Sequence, residues 1–272
     1  MTTLKNHTLL YDTDCPLCAA YTKGFIRAGI MEETGRLSYE KGIAQYSDLL
    51  DTDRARNEIA LVNTDNGKVL YGIDSMNYII THKFPLLKPV LNNAAILFIL
   101  RKFYSFISFN RKVIAASASY TRQTCVPDFH LSYRILYLVL SGIFTSTILL
   151  SYSSLLKGIV PPSNLVREYV ICFGQIAFQG SILLVIKTGK ENLFDYLGNM
   201  MTVSLIGGLL LLPILILNHY ISLPAYLCLA WFFAVVCFMF LQHQKRVRYI
   251  HAPVWLSYTW VLYRCIVLLL IL

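Results

Sequence analysis

A chain of 272 residues that is 56% hydrophobic and only 14% charged, with a mean hydropathy of +0.54, is not an ordinary water-soluble protein, in which about 25% of residues are charged. The apolar excess starts near His130 and the sequence before it is balanced, so one part in water and one part in lipid are expected. The net charge of +9 accumulates at Arg101, Lys102, Arg111, Lys112, Arg122 and Arg134, next to the first apolar run, where basic residues face anionic headgroups; no nucleic-acid partner is expected.

Asp12 and Asp14 sit where the apolar core of a secretory leader would fall, so the first part is expected to stay in the cytoplasm. Thr8 to Tyr11 reads as a short buried strand. Pro16 suits the first turn of a helix, because its missing N–H would have no intrahelical partner there. That helix is expected to run to about Gly29, with Phe25 and Ile26 inward. A strand over Arg36 to Tyr39 and a helix over Gly42 to Leu50 follow. Glu58 to Val62 and Val69 to Tyr71 flank "NTDNG", a hairpin signal. Ile73 to Thr81 reads as a helix. The order β-α-β-α-β-β-α is that of a thioredoxin-like α/β domain, assigned here to residues 1–117. Leu86 to Ala116 is helical in pattern. Arg101, Ser105, Ser108 and Lys112 recur on one side and Leu97, Leu100, Tyr104, Ile107 and Ile114 lie roughly opposite. Such a helix lies on a membrane surface or packs on the aqueous domain.

Residues 118–132 read as a juxtamembrane linker, and residues 133–272 as an all-α transmembrane bundle. Five apolar segments fall near 133–151, 168–187, 198–217, 224–241 and 254–272. Each is long enough for a hydrocarbon core of about 30 Å. Tyr133, Trp231 and Trp255 are expected at the interfaces. "KTGKENLFD" and "HQKRVRYIHAP" are rich in Lys and Arg, "NHYISLP" has neither, and "LKGIVPPSNLVRE" has Lys157 and Arg167. This alternation predicts a cell-membrane protein with a cytoplasmic N-terminal domain.

Of seven cysteines, only Cys15 and Cys18 are spaced for chemistry. Cys125, Cys172, Cys228, Cys237 and Cys265 are scattered and read as packing. A thiol at a helix N-terminus meets unpaired N–H groups and the positive end of the helix dipole, which favour the thiolate. Cys15 is therefore the expected nucleophile. Cys18, one turn further, is placed to resolve a mixed disulfide. Asp12 and Asp14 oppose the thiolate. A structural zinc site needs four ligands, and the aqueous part has no second such pair; no metal is expected.

"YDTDCPLC", "LYGIDSMNYII" and "FYSFISFNRKVIA" together resemble the DCC family of thiol–disulfide oxidoreductase-like proteins, over roughly residues 7 to 117. The family signature Asp-x-x-Cys-x-x-Cys falls on Asp12, Cys15 and Cys18, and Tyr104, Asn110 and Arg111 match its "Y…NR" segment. The resemblance implies a thioredoxin-like fold and a dithiol active site; the dithiol reading itself leads us to expect a thiol or disulfide protein as partner. Some members carry a membrane-spanning extension.

In the membrane part, Arg264 falls near the middle of the last segment. An ionisable group there costs at least about 2.5 kcal/mol and should face the bundle interior, with Trp260 one turn before it. Gln175 and Gln179 share a face, as helix–helix glue would. Asp195, Asn199 and Glu168 lie near helix ends. A polar interior of this kind can bind a quinone, another small redox partner or a lipid headgroup. Two readings result: a membrane-anchored thiol–disulfide oxidoreductase, or a transporter or scaffold with a redox-sensing or docking domain.

Overall fold

The computed structural model describes residues 3–118 and 125–271; Arg122 and part of the expected linker lie outside the described residues. The chain forms two compact units, Met1–His130 and Leu131–Leu272.

In unit 1, β1 (His7–Tyr11), β2 (Arg36–Ser38), β3 (Ala60–Asn63) and β4 (Val69–Tyr71) form a mixed sheet in the order β2-β1-β3-β4. β1 runs parallel to β2 and antiparallel to β3, with Leu9 opposite Leu61 and Leu10 opposite Ala60. Strand side chains alternate between faces, and the core divides accordingly. Leu9 and Leu61 pack with Ile79, Met31 and the half-buried Phe25 and Ile26. Leu10, Ala60 and Val62 pack with Tyr39, Leu50 and Ala55. Helices α1 (Pro16–Arg27) and α4 (Gly72–Lys83) thus cover one face. Helices α2 (Tyr39–Tyr46) and α3 (Thr52–Asn57) cover the other.

Several boundaries differ from the sequence reading. α2 starts three residues early, with Ser38 at the N-cap position in extended backbone and no side-chain capping bond. α3 was not expected; it is a six-residue helix whose Asp51 cap accepts from Arg54 N. The helical pattern from Leu86 is broken. A 3-10 turn (Pro85–Leu87) and α5 (Lys88–Leu91) bend by 86° from α6 (Ala94–Ile114). Asn93 causes the restart, its Oδ1 accepting from Ala95 N and Ile96 N. α6 packs on the sheet unit. Tyr104 Oη accepts from Ile59 N at 2.9 Å, and Arg101 pairs with Asp74 at 3.0 Å. The expected polar stripe is not all solvated, because Ser108 is buried and donates to Asn57 O. Conversely Leu86, Val90, Phe98, Ile99 and Phe103 are exposed. A strap from Cys125 returns to the unit: Asp128 pairs with Arg56 at 3.0 Å, and its N–H donates to Asn57 Oδ1 at 2.8 Å.

Unit 2 is helical among its described residues: α7 (Leu131–Ser153), α8 (Leu165–Val185), α9 (Lys190–Tyr220), α10 (Ala225–Tyr249) and α11 (Leu256–Ile271). Among the described residues of the chain, four helices are long and apolar enough to cross a membrane, and the bent α5–α6 pair would make five if taken as one span. The expected fifth segment is shorter than predicted. Turns through Pro253 delay its start, and 16 residues rise about 24 Å, less than a core of about 30 Å. α9 and α10, with 31 and 25 residues, are longer than their apolar runs, since hydropathy does not mark where backbone hydrogen bonding stops.

The bundle is knit by small residues and polar pairs. A Cβ on Gly142 would lie 2.8 Å from Phe173, so α7 and α8 approach closely there. Tyr137 and Thr202 join α7 and α9 at 2.6 Å. Arg134 is not a headgroup-facing charge. It is buried and pairs with Asp195 at 2.8 Å. Arg246, assigned by sequence to a loop, lies inside α10, buried, and donates to Asn199 Oδ1 at 3.0 Å.

Candidate functional site

The site starts where β1 ends. Asp12 is buried, and its Oδ1 accepts from Asp14 N at 3.0 Å and Cys15 N at 3.2 Å. This side-chain turn aims the chain into α1. Cys15 is the helix N-cap: its backbone is extended, and its Sγ accepts from Cys18 N at 3.4 Å. Pro16 occupies the first helical position, where no N–H is needed. Cys18 follows one turn on. Asp14 stands at the turn itself, partly buried.

Both cysteines are thiols. Cys15 is 0% exposed and Cys18 8%. Cys15 is therefore not an openly presented nucleophile, although the helix start beneath it is present. The hydrogen bond with Cys15 and then burial hold the Cys18 thiol far above its ordinary pKa.

Arg111 is the counter-charge to this acidic turn. Sequence reasoning counted it among membrane-facing charges, although it also belongs to the family-like "NR" pair. It is 5% exposed and lies 3.7 Å from Asp12 Oδ2. It donates to Arg56 O at 2.9 Å, Cys125 O at 2.8 Å and Asn57 O at 3.3 Å. Burial opposes its charge, but Cys18, Cys125, Asp12 and Cys15 outweigh this and raise its pKa. For Asp12, burial outweighs Arg111 and the two N–H donors, so its pKa rises above 3.8. Cys125, read from the sequence as packing, has its Sγ 3.7 Å from Arg111, and burial pushes its thiol up to about 12. No local spacing marks Cys125; only the fold brings it here.

A cavity of about 410 Å³ opens against this cluster. Asp12, Cys18, Arg111 and Cys125 lie at its polar end, and Tyr21, Phe25, Phe103 and Tyr104 are among its walls. Gly72 lets Tyr104 close one side. It has φ +58°, and a Cβ there would sit 2.8 Å from Glu58 and 3.1 Å from Tyr104. Two buried atoms of cavity-lining residues have no hydrogen-bond partner among the described residues: Asp12 Oδ2 and Arg111 Nε. Among the described residues no group of three or more His, Cys, Asp and Glu is placed to hold a metal ion.

The polar residues of the helical unit form a separate column. Gln179 and Gln175 are fully buried on α8. Gln179 donates to Thr259 at 3.1 Å and accepts from Tyr196 at 3.2 Å, which joins three helices. Tyr196 meets His243, which stacks on Trp260 with centroids 5.3 Å apart. Arg264 lies over the other neighbour of that ring, its Cζ 5.2 Å from the Trp260 centroid, and it is only partly buried. Both side-chain polar atoms of Gln175, Trp260 Nε1 and Arg264 Nε have no partner among the described residues. Sequence reasoning missed His243 and Tyr196, which carry no spacing signal.

The chain matches no family model, no curated protein and no solved structure.

Proposed function

We propose that this chain is a membrane-anchored thiol–disulfide oxidoreductase of the DCC type, with a thioredoxin-like unit 1 on the cytoplasmic side. Cys15 and Cys18 cycle between dithiol and disulfide and exchange electrons with a protein or membrane redox partner. The observation that carries the reading is the N-cap geometry: Cys15 Sγ receives the Cys18 N–H, with Cys18 on the next turn bordering a cavity. Arg111 supports it, because its charge offsets Asp12 beside the two sulfurs. The parallel β1–β2 pair beside the antiparallel β3–β4 hairpin is in keeping with a thioredoxin-like relation. The burial of Cys15 restricts partners to small oxidants or to proteins met after α1 loosens at its start.

Titration of the full chain in detergent against glutathione buffers tests this. A reversible Cys15–Cys18 disulfide is expected at a potential between about −270 and −120 mV. Cys18→Ser should trap a mixed disulfide on Cys15. If neither forms, the reading is lost.

A second reading has its own support in the column of Gln175, Trp260 and Arg264. Polar atoms left without partners in a bundle interior fit a transport or scaffold role, with unit 1 as a redox sensor or docking module. It requires Arg264→Gln to abolish the cellular phenotype while Cys15→Ser spares it; the opposite pattern removes it.

A further inference from the structure

The cavity against Cys18 has the composition of a ligand site. It holds about 410 Å³, within the range of small-molecule pockets. Its lining is mostly apolar and aromatic, and its polar members include the Arg111 guanidinium, the Asp12 and Glu58 carboxylates and the Cys18 and Cys125 thiols. Arg111 is 5% exposed and Asp12 4% exposed; Arg111 Nε has no hydrogen-bond partner among the described residues, and Asp12 Oδ2 has none either, its ion-pair contact with Arg111 being 3.7 Å long. Arg111 Nε–H calls for an acceptor oxygen; Asp12 Oδ2 calls for a donor. Leu100 and Phe103 belong to both the cavity lining and α6, where Phe103 is 62% exposed next to the exposed Phe98 and Ile99. The cavity wall formed by α6 is thus continuous with exposed apolar side chains, a surface that suits a lipid-soluble ligand.

We propose that this cavity binds the ring of a quinone, with one ring oxygen at Arg111 and Asp12, and that the quinone is the oxidant of the Cys15–Cys18 dithiol. The inference rests on the dithiol reading above and names its electron acceptor. A planar ring fits between aromatic walls. A carbonyl oxygen accepts from Arg111 Nε–H, and once reduced to a hydroxyl it can donate to Asp12 Oδ2, so one oxygen meets both groups over the cycle. Cys18, which lines the cavity, adds through sulfur to a ring carbonyl carbon, and its proton passes to that oxygen. Cys15 attacks the Cys18 sulfur. The S–S bond forms, the C–S bond breaks, and its electron pair moves through the ring to the second oxygen, which takes the Cys15 proton. Two thiols become one disulfide and one quinone becomes one quinol.

The test uses the full chain, reduced and anaerobic in detergent, with a short-chain ubiquinone analogue followed by its absorbance. One quinone reduced per chain is expected, together with loss of two alkylatable thiols, Cys15 and Cys18. Leu100→Trp, which fills the cavity, should slow this oxidation at least tenfold. A photoreactive azido-quinone should label residues 100–111 of unreacted Cys15→Ser chain. If the dithiol titrates with glutathione but the quinone oxidises it no faster than it oxidises free dithiothreitol, or if label falls only in unit 2, the cavity inference fails while the dithiol reading stands. If neither glutathione nor quinone forms the disulfide, the dithiol reading itself fails and takes the inference with it.

Discussion

At Arg111 a single side chain satisfies three carbonyls and faces one buried carboxylate. Replacing it with Met removes the counter-charge of Asp12 and takes the guanidinium donor from the Arg56 and Cys125 carbonyls, while Asn57 O keeps Ser108. Breaking a buried pair from one side costs about 3–5 kcal/mol, far more than the about 0–1 kcal/mol of an exposed pair. Arg111→Met should therefore make unit 1 sensitive to trypsin at much lower urea than the parent chain. Asp12 adds a pH dependence. Its folded pKa lies above 3.8, chiefly through burial. Between the two values the folded chain holds more protons than the unfolded one, so stability from this group is greatest below pH 3.8 and declines as pH rises through the folded value. Asp12→Asn should flatten that slope, which trypsin resistance in urea at pH 4, 5, 6 and 7 will measure.

Among the elements, α2 meets β1 at Gly42, where an added Cβ would lie 2.4 Å from Leu10 Cδ2 and 2.7 Å from Cδ1. Alanine favours a helix by about 1 kcal/mol over glycine, but overpacking a filled core costs about 1–3 kcal/mol. Leu10 is 2% exposed and has little room to move. Gly42→Ala should thus lower the resistance of unit 1 to urea rather than raise it; a gain would show that α2 shifts freely. Features written into neighbouring residues were legible beforehand. Cys15 as cap and Pro16 as first helical residue are local, and so is the "NTDNG" hairpin. α3 escaped because six residues with only Ala55 buried have no apolar period; the Asp51 cap was its sole mark. The bend before α6 was marked only by Asn93. The surroundings of Cys15 were hidden for a different reason. Arg111 and Cys125 reach them from 96 and 110 positions along the chain, through carbonyl contacts that no spacing encodes.

For the molecule as a whole, the charge asymmetry that predicts orientation changes its members. Arg134 and Arg246 are buried inside unit 2 and cannot face headgroups. Lys187, Lys190, Lys245 and Arg248 remain exposed, at α8–α9 and α10–α11. At the opposite connections Lys157 is exposed, while Arg167 is matched by Glu168 at 3.0 Å. We therefore expect Ser222→Cys to react with an impermeant maleimide added to intact cells, and Thr188→Cys to react only after permeabilisation; the reverse would invert the proposed topology. The strap from Cys125 to Asp128 bears on how unit 1 can be studied in isolation. A fragment ending at residue 117 would look complete by its strands and helices, yet it would lack the Cys125 carbonyl that holds Arg111 and the Asp128 contacts that hold Arg56 and Asn57. Biochemistry on such a truncation would describe a site missing its keystone, and any excised form should extend through His130.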